Sequence, residues 1–202
     1  MLPETQQTIE LAKTIASTLG TPWQYVPQDE PYPTQYIVNT ENRDAEISVR
    51  LDYSKKGYVA LSGSLHIGKN RQYVEVHETA ADGTGWYKQT VPTITVRLDR
   101  GIAAVVQAIK SRLLPEYLRI LVLAQKKVAS ERDYHSKVRG ILNRLAPLVN
   151  ESTEKLQDES SSLSFYHSTK EHGSIQAYSD GTVSLELHSI SEEKAKRILA
   201  LL

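Results

Sequence analysis

The 202-residue chain contains no cysteine and only one methionine and one phenylalanine. The absence of cysteine excludes a disulfide, a thiolate nucleophile and a cysteine-ligated zinc site. Long apolar runs are also missing, because the longest aliphatic run, Ile120 to Ala124, is far shorter than the ~20 residues of a membrane span. The first ten residues contain two glutamates and no basic stretch, which is atypical of a signal peptide. We therefore expect a cytoplasmic protein that does not contact a membrane.

Charge is balanced overall, with 24 basic and 24 acidic residues, but it is unevenly distributed. Residues 93–150 contain eleven basic and four acidic residues. In contrast, residues 1–45 contain two basic and six acidic residues, and residues 151–202 contain five basic and nine acidic residues. A local excess of positive charge attracts phosphates or an acidic partner even in a neutral protein. Alternatively, the acidic flanking segments neutralise the basic segment within the molecule.

Hydrophobic periodicity predicts an α+β fold with two layers. A first amphipathic helix is expected over 4–19, and residues 21–44, rich in proline, are read as an irregular arm or as broken edge strands. From Glu46 the period changes to two, which predicts a four-stranded antiparallel meander covered by helices on one face. The predicted strands are 46–52, 58–67, 72–77 and 93–99. Parity predicts that Leu51 pairs with Val59 and that Ile67 pairs with Gln72.

Beyond the meander, residues 101–114 are predicted to form a second helix, and Pro115 suits the first turn of a third. The predicted domains are an α+β domain over 1–114, a long basic helix or helix pair over 115–149, a polar linker over 150–162, and a C-terminal unit over 163–202. That unit is of ββα type, with strands near 163–165, 175–177 and 183–187 and a closing helix over 191–202. Gly181 is expected to allow a tight hairpin turn.

A row of basic residues follows one face of the predicted third helix. Arg119, Lys126, Lys137 and Arg144 are separated by 7, 11 and 7 residues, close to whole turns at ~3.6 residues per turn. Lys127 and Arg139 flank this row. Lysines and arginines in a line match the phosphates of a nucleic acid, although such stripes also occur as the solvated face of an amphipathic helix.

The predicted sheet offers a second set of basic and aromatic side chains. These are Arg50 and Arg97 on the open face, Lys55, Lys56, Lys69 and Arg71 in the turns, and Tyr58 and Tyr73 as stacking residues. Arginine and tyrosine on an exposed sheet are typical of surfaces that bind single-stranded nucleic acid. Tyrosine-rich surfaces serve protein recognition as well.

The motifs for enzymatic chemistry are incomplete. The segment Gly63 to Lys69 has the spacing of a phosphate-binding loop, but Asn70 replaces the hydroxyl residue and a strand follows instead of a helix. His66, Glu75 and His77 fall on one predicted sheet face, where surface residues are more common than a metal site. We expect no catalytic residues, metal or cofactor.

The sequence therefore favours a non-enzymatic nucleic-acid-binding protein. Two alternatives remain open: a protein-interaction module or inhibitor that docks an acidic partner or homodimerises, and a small enzyme with its site on the open sheet face. The choice between DNA and RNA, and the oligomeric state, are left open by the sequence.

Overall fold

The protein is described by a computed structural model, which covers residues 3–28, 32–68, 71–79, 85–149, 161–166 and 172–201. The fold is α+β, as predicted. The chain divides into two compact units, unit 1 (Met1–Val128) and unit 2 (Ala129–Leu202). This division falls inside a helix, whereas the sequence placed domain changes at 114 and 150. Most of the predicted linker, residues 150–160, lies outside the described residues.

Unit 1 contains a five-stranded antiparallel sheet in the order β1-β2-β3-β4-β9. The strands are β1 (Trp23–Val26), β2 (Gln35–Asn39), β3 (Glu46–Leu51), β4 (Tyr58–Gly63) and β9 (Thr93–Arg97). The proline-rich arm thus supplies two strands, and β1 lies at the sheet edge, where proline nearby is tolerated. The predicted pairing of Leu51 with Val59 is confirmed.

The predicted four-stranded meander differs from the structure in two strands. The predicted strand 58–67 is divided into β4, which ends at Gly63, and a separate short strand, His66–Ile67. Residues 72–77 do not join the large sheet, because β4 pairs with β9 instead. The intervening chain forms two small hairpins, β5 (His66–Ile67) with β6 (Gln72–Tyr73), and β7 (His77–Thr79) with β8 (Trp86–Lys88). Val74 and Val76 are nevertheless buried in the core, so their alternation reflects burial and not membership of the sheet. The predicted pairing of Ile67 with Gln72 is confirmed.

Helices cover one face of the large sheet. They are α1 (Pro3–Leu19), α2 (Gly101–Ala108) and α3 (Leu114–Leu145), with a π-helical segment, Ile109–Leu113, between α2 and α3. The predicted second and third helices are therefore continuous. Pro115 cannot donate the usual hydrogen bond to the preceding turn, and a π turn just before it accommodates this gap. The interior is filled by apolar side chains of α1, the sheet and the helical segment from α2 onwards.

Tyr117 ties the start of α3 to the sheet. Its side chain is fully buried, and its hydroxyl accepts a hydrogen bond from the Glu46 backbone N–H at 2.7 Å and donates to the Ser64 carbonyl at 3.0 Å. Burial raises the pKa of Tyr117 to about 12, so the phenol stays protonated at neutral pH. The ring packs directly over Gly63, where β4 ends. A side chain at position 63 would occupy the space of that ring.

Unit 2 contains a three-stranded antiparallel sheet with a helix after it, which confirms the predicted strands and closing helix. The elements are β10 (Ser162–Tyr166), β11 (His172–Ala177), β12 (Val183–His188) and α4 (Glu192–Leu199). Gly181 has a φ of 92°, as its predicted turn requires. The core of the unit combines residues of α3, of the short 3-10 helix Ala146–Val149 after it, and of β10 and β11, namely Val138, Leu142, Ala146, Leu163, Phe165, Ile175 and Ala177.

In the part of the chain that the structure describes, none of the helices combines the length and the apolar character needed to cross a bilayer.

Candidate nucleic-acid interface

Two arginines and a tyrosine lie together on the sheet face opposite the helices. Tyr58 in β4 is directly opposite Arg97 in β9, and the Arg97 guanidinium carbon lies 5.9 Å from the centre of the Tyr58 ring. Arg50 in β3 is opposite Ala60, so it is a diagonal neighbour of Tyr58 across the sheet. Cross-strand diagonal neighbours are ~7–8 Å apart. Tyr58, which is half-buried, therefore has Arg97 directly opposite on one side. On the other side Asp52 is directly opposite, its backbone N–H donating to the Tyr58 carbonyl at 2.9 Å, and Arg50 is the diagonal neighbour.

The turn between β3 and β4 adds positive charge at the same end of the sheet. Lys55 and Lys56 are both exposed in this turn, and the Tyr58 backbone N–H donates to the Lys55 carbonyl at 3.1 Å. Tyr53 in the same turn is 65% exposed. We refer to Arg50, Tyr53, Lys55, Lys56, Tyr58 and Arg97 as the sheet-end patch.

Two acidic residues border the sheet-end patch. The Ser54 hydroxyl donates to Asp52 Oδ1 at 2.6 Å, and this hydrogen bond, with Lys55 nearby, lowers the pKa of the Asp52 carboxyl. Arg97 forms an ion pair with Asp99, and both side chains are about half exposed. Exposed ion pairs of this kind contribute ~1 kcal/mol or less, so a phosphate can compete for the Arg97 guanidinium. The four cations of the patch exceed the two bordering carboxylates.

Arg119, the first residue of the predicted helical stripe, is held by intramolecular bonds. Its guanidinium donates five hydrogen bonds: two to Glu116 at 2.9 and 3.0 Å, two to Glu78 at 2.8 Å, and one to Gln89 Oε1 at 3.0 Å. The bonds to Glu116 and Glu78 also raise the pKa of the Arg119 guanidinium. Its donors are thus fully used within unit 1, and binding a phosphate would require breaking them.

The other two stripe residues in unit 1 are Lys126 and Lys127. The ammonium of Lys127 donates to the Glu75 backbone carbonyl at 3.0 Å, and further interactions involve this side chain. Arg119, Lys126 and Lys127 are all exposed. Arg119 and Lys127 are nevertheless held by hydrogen bonds within unit 1, whereas the sheet-end patch groups four cations.

The remaining stripe residues belong to unit 2. Lys137 forms an ion pair with Asp133 at 2.7 Å, one helical turn away. Arg139 is half-buried and also interacts with neighbouring groups, whereas Arg144 is exposed. A phosphate-binding role for the stripe stays a prediction. Its geometric support is weaker than that of the sheet-end patch, because Arg119 and Lys127 are held by hydrogen bonds to other parts of unit 1.

The other predicted residues lie in the β5–β6 hairpin. Arg71 is an ion-pair partner of Glu46, with Nη2 and Oε2 2.6 Å apart. Tyr73 is 50% exposed and its ring centre is 5.7 Å from that of His66. Lys69 lies outside the described residues. The hairpin residues are therefore separate from the sheet-end patch.

The predicted face that grouped His66, Glu75 and His77 does not form, because His77 pairs with Lys88 in its own hairpin. Within the described ranges no cluster of three or more histidine, aspartate or glutamate side chains is arranged to hold a metal ion. Sequence reasoning missed Tyr53, although its position two residues before Lys55 in a predicted turn was a usable signal.

Comparison with known proteins adds no relative: no protein-family model, no curated protein and no solved structure matches this chain.

Proposed function

We propose that unit 1 binds single-stranded nucleic acid through the sheet-end patch. The observation that supports this proposal is the half-buried Tyr58 with Arg97 directly opposite it and Arg50 diagonal to it, on the sheet face away from the helices. Exposed aromatic rings stack on unpaired bases, and the flanking cations contact the phosphates on either side. A duplex keeps its base faces inside the stack, so it would gain only the phosphate contacts.

Lys55 and Lys56 extend the positive surface beyond the edge of the sheet face. Both lysines are exposed in the turn. A lysine side chain can rotate about several bonds, so its ammonium group can follow the phosphates of a flexible single strand. Tyr53 adds a ring in the same turn that is more exposed than the half-buried Tyr58. The patch thus combines four phosphate ligands with two stacking surfaces, without a feature that would select a base sequence.

The salt dependence of binding tests this proposed function. If the four cations contact four phosphates, the slope of log K against log salt is expected to be about −3, from ~0.7 per phosphate on a single strand. The measurement is fluorescence anisotropy of labelled single-stranded DNA and RNA with the full chain, over salt from ~50 to ~200 mM.

Two comparison probes sharpen the result. A duplex of the same sequence is expected to bind more weakly than either single strand, because its bases cannot stack on Tyr58. Poly-glutamate carries negative charge but no bases, so tighter binding of poly-glutamate would favour an acidic protein partner. Absence of binding at low salt, or an affinity that salt does not change, would contradict the proposed function.

A further inference from the structure

The other end of the same sheet face contains a cavity of about 330 Å³. It is lined by Val26 of β1 and Gln28 just after it, Tyr36 and Val38 of β2, Glu46 of β3, and His66 and Arg71 of the β5–β6 hairpin. Glu46 and Arg50 lie on the same face of β3, four residues apart, which corresponds to ~14 Å at ~3.4 Å per residue. The cavity is therefore distinct from the sheet-end patch.

Glu46 is an unusual group in the lining of this cavity. Its side chain is only 5% exposed, and one carboxylate oxygen, Oε2, accepts a hydrogen bond from Arg71. The other oxygen, Oε1, is buried and has no hydrogen-bond partner among the described residues. A buried acceptor without a donor is unfavourable, so a ligand that donates a hydrogen bond to Oε1 would gain binding energy from it.

The charges of Glu46 and Arg71 favour a ligand whose hydrogen-bond donor is uncharged. The Arg71 guanidinium already balances the Glu46 carboxylate, and a second cation beside it would be repelled. Arg71 is 54% exposed and has further N–H groups that can donate to a ligand acceptor. The site therefore matches a ligand edge on which an N–H donor stands next to an acceptor.

The shape and lining select a flat ring. Val38 offers an apolar surface, and Tyr36 and His66 offer rings against which a planar molecule can stack. Cytosine and adenine each present an amino group beside a ring nitrogen acceptor, and carboxylates of proteins accept from the cytosine amino group. The volume of the cavity is also large enough for one such ring.

We propose that this cavity binds an amino-bearing nucleobase, with Glu46 Oε1 accepting from the exocyclic amino group and Arg71 donating to the adjacent ring nitrogen. Oε1 is shielded from water, so a side chain at the cavity wall must move to admit the base. Arg71 contacts the other oxygen of this carboxylate, and its side chain is 54% exposed, so it can reorient to donate to a base. The base can arrive as a free nucleoside or as part of a strand.

Nucleoside titration tests the site directly. Calorimetric or NMR titration of the full chain compares cytidine with N4,N4-dimethylcytidine, which keeps the ring but lacks the amino donor. Cytidine is expected to bind at least about tenfold more tightly, the effect of one hydrogen bond to a charged acceptor. Equal affinities for the two nucleosides, or no saturable binding of cytidine, would overturn the inference. This comparison needs no variant.

Glu46→Gln provides the complementary test. Arg71 offers only donors, so the glutamine carbonyl is expected to face Arg71 and the amide NH₂ to face the cavity, which turns the acceptor into a donor. The preference for cytidine over its dimethyl analogue should then disappear. The matched control is Glu41→Gln, an exposed residue outside the cavity lining, which removes the same charge and should keep the preference. A preference that survives in Glu46→Gln would count against the role of Oε1.

A second arm distinguishes the two sources of the base. One cytidine or one N4,N4-dimethylcytidine is placed within an oligothymidine strand, and the affinities of the two strands are compared. A tenfold difference between the strands supports a base pocket used during strand binding. Equal strand affinities together with a preference among free nucleosides support a nucleoside site that acts independently. Cytidine binding without any strand binding would reject the proposed function and retain this cavity site.

Discussion

Replacement of Arg50, Lys55, Lys56 and Arg97 together by alanine is expected to weaken single-strand binding by about a hundredfold at low salt. Two unit charges 4 Å apart attract by ~1 kcal/mol in water, and an exposed side chain that loses some freedom gives slightly less. Four contacts of ~0.7 kcal/mol each amount to ~3 kcal/mol, or about a hundredfold in affinity. The dependence on salt should become nearly flat, because these side chains displace the counterions.

A control variant with the same loss of charge separates local from overall electrostatics. Arg43, Lys110, Arg112 and Lys126 are exposed in unit 1 and lie outside the sheet-end patch. Their joint replacement by alanine is expected to weaken binding by less than about fivefold, since most of their effect is screened over the ~10 Å Debye length at 0.1 M salt. Equal losses in the two variants would mean that the net charge of the chain, and not the sheet-end patch, controls binding.

Replacement of Gly63 by alanine is expected to destabilise unit 1 by about 3 kcal/mol, near the upper end of the usual cost of overpacking. A Cβ atom at this position would lie 2.2 Å from Cδ2 of Tyr117, well inside van der Waals contact. The Tyr117 ring is fully buried and its hydroxyl is fixed by hydrogen bonds to Glu46 and Ser64, so it cannot simply turn away. Relief requires a shift of α3 against the sheet.

Urea denaturation followed by tryptophan fluorescence measures this effect in unit 1. Both tryptophans lie in that unit, and Trp23 is only 9% exposed. Gly85→Ala is the matched control, because no atom of the described residues comes within 4 Å of a Cβ placed there. It should change the free energy of unfolding by less than ~0.5 kcal/mol. A Gly63→Ala variant as stable as Gly85→Ala would show that the contact with Tyr117 is not tight.

The alternation of apolar residues predicted the pairing of strands within a hairpin, but it did not predict the order of strands in the sheet. The register of Leu51 with Val59 follows from parity and from a five-residue turn, both of which are local properties of the sequence. Val74 and Val76 alternate in the same way but are buried outside the large sheet. Burial of alternate residues does not specify which strand supplies the hydrogen bonds, so the pairing of β4 with the distant β9 could not be read from the pattern.

The part of the candidate interface that depends on local pattern could be predicted, and the part that depends on tertiary contacts could not. Arg50, Tyr58 and Arg97 share a face because strand parity places them there, and the turn lysines follow from the predicted hairpin. The helical spacing of Arg119 was equally clear, yet its partners Glu78 and Gln89 are distant in sequence and their approach depends on the tertiary fold. Glu46 is similar: the sequence shows an acidic residue at the start of a strand, and only the hairpin over it explains its burial.

The most direct measurement of the central claim is a map of backbone amide chemical shifts in the full chain as single-stranded nucleic acid is added. We predict shifts concentrated at Arg50, at the turn containing Lys55 and Lys56, and at Tyr58 and Arg97. Amides around Arg119 and Lys126 in α3 should remain unchanged. Shifts along α3 without shifts in the sheet-end patch would contradict binding at the patch and would indicate that the basic helix forms the interface.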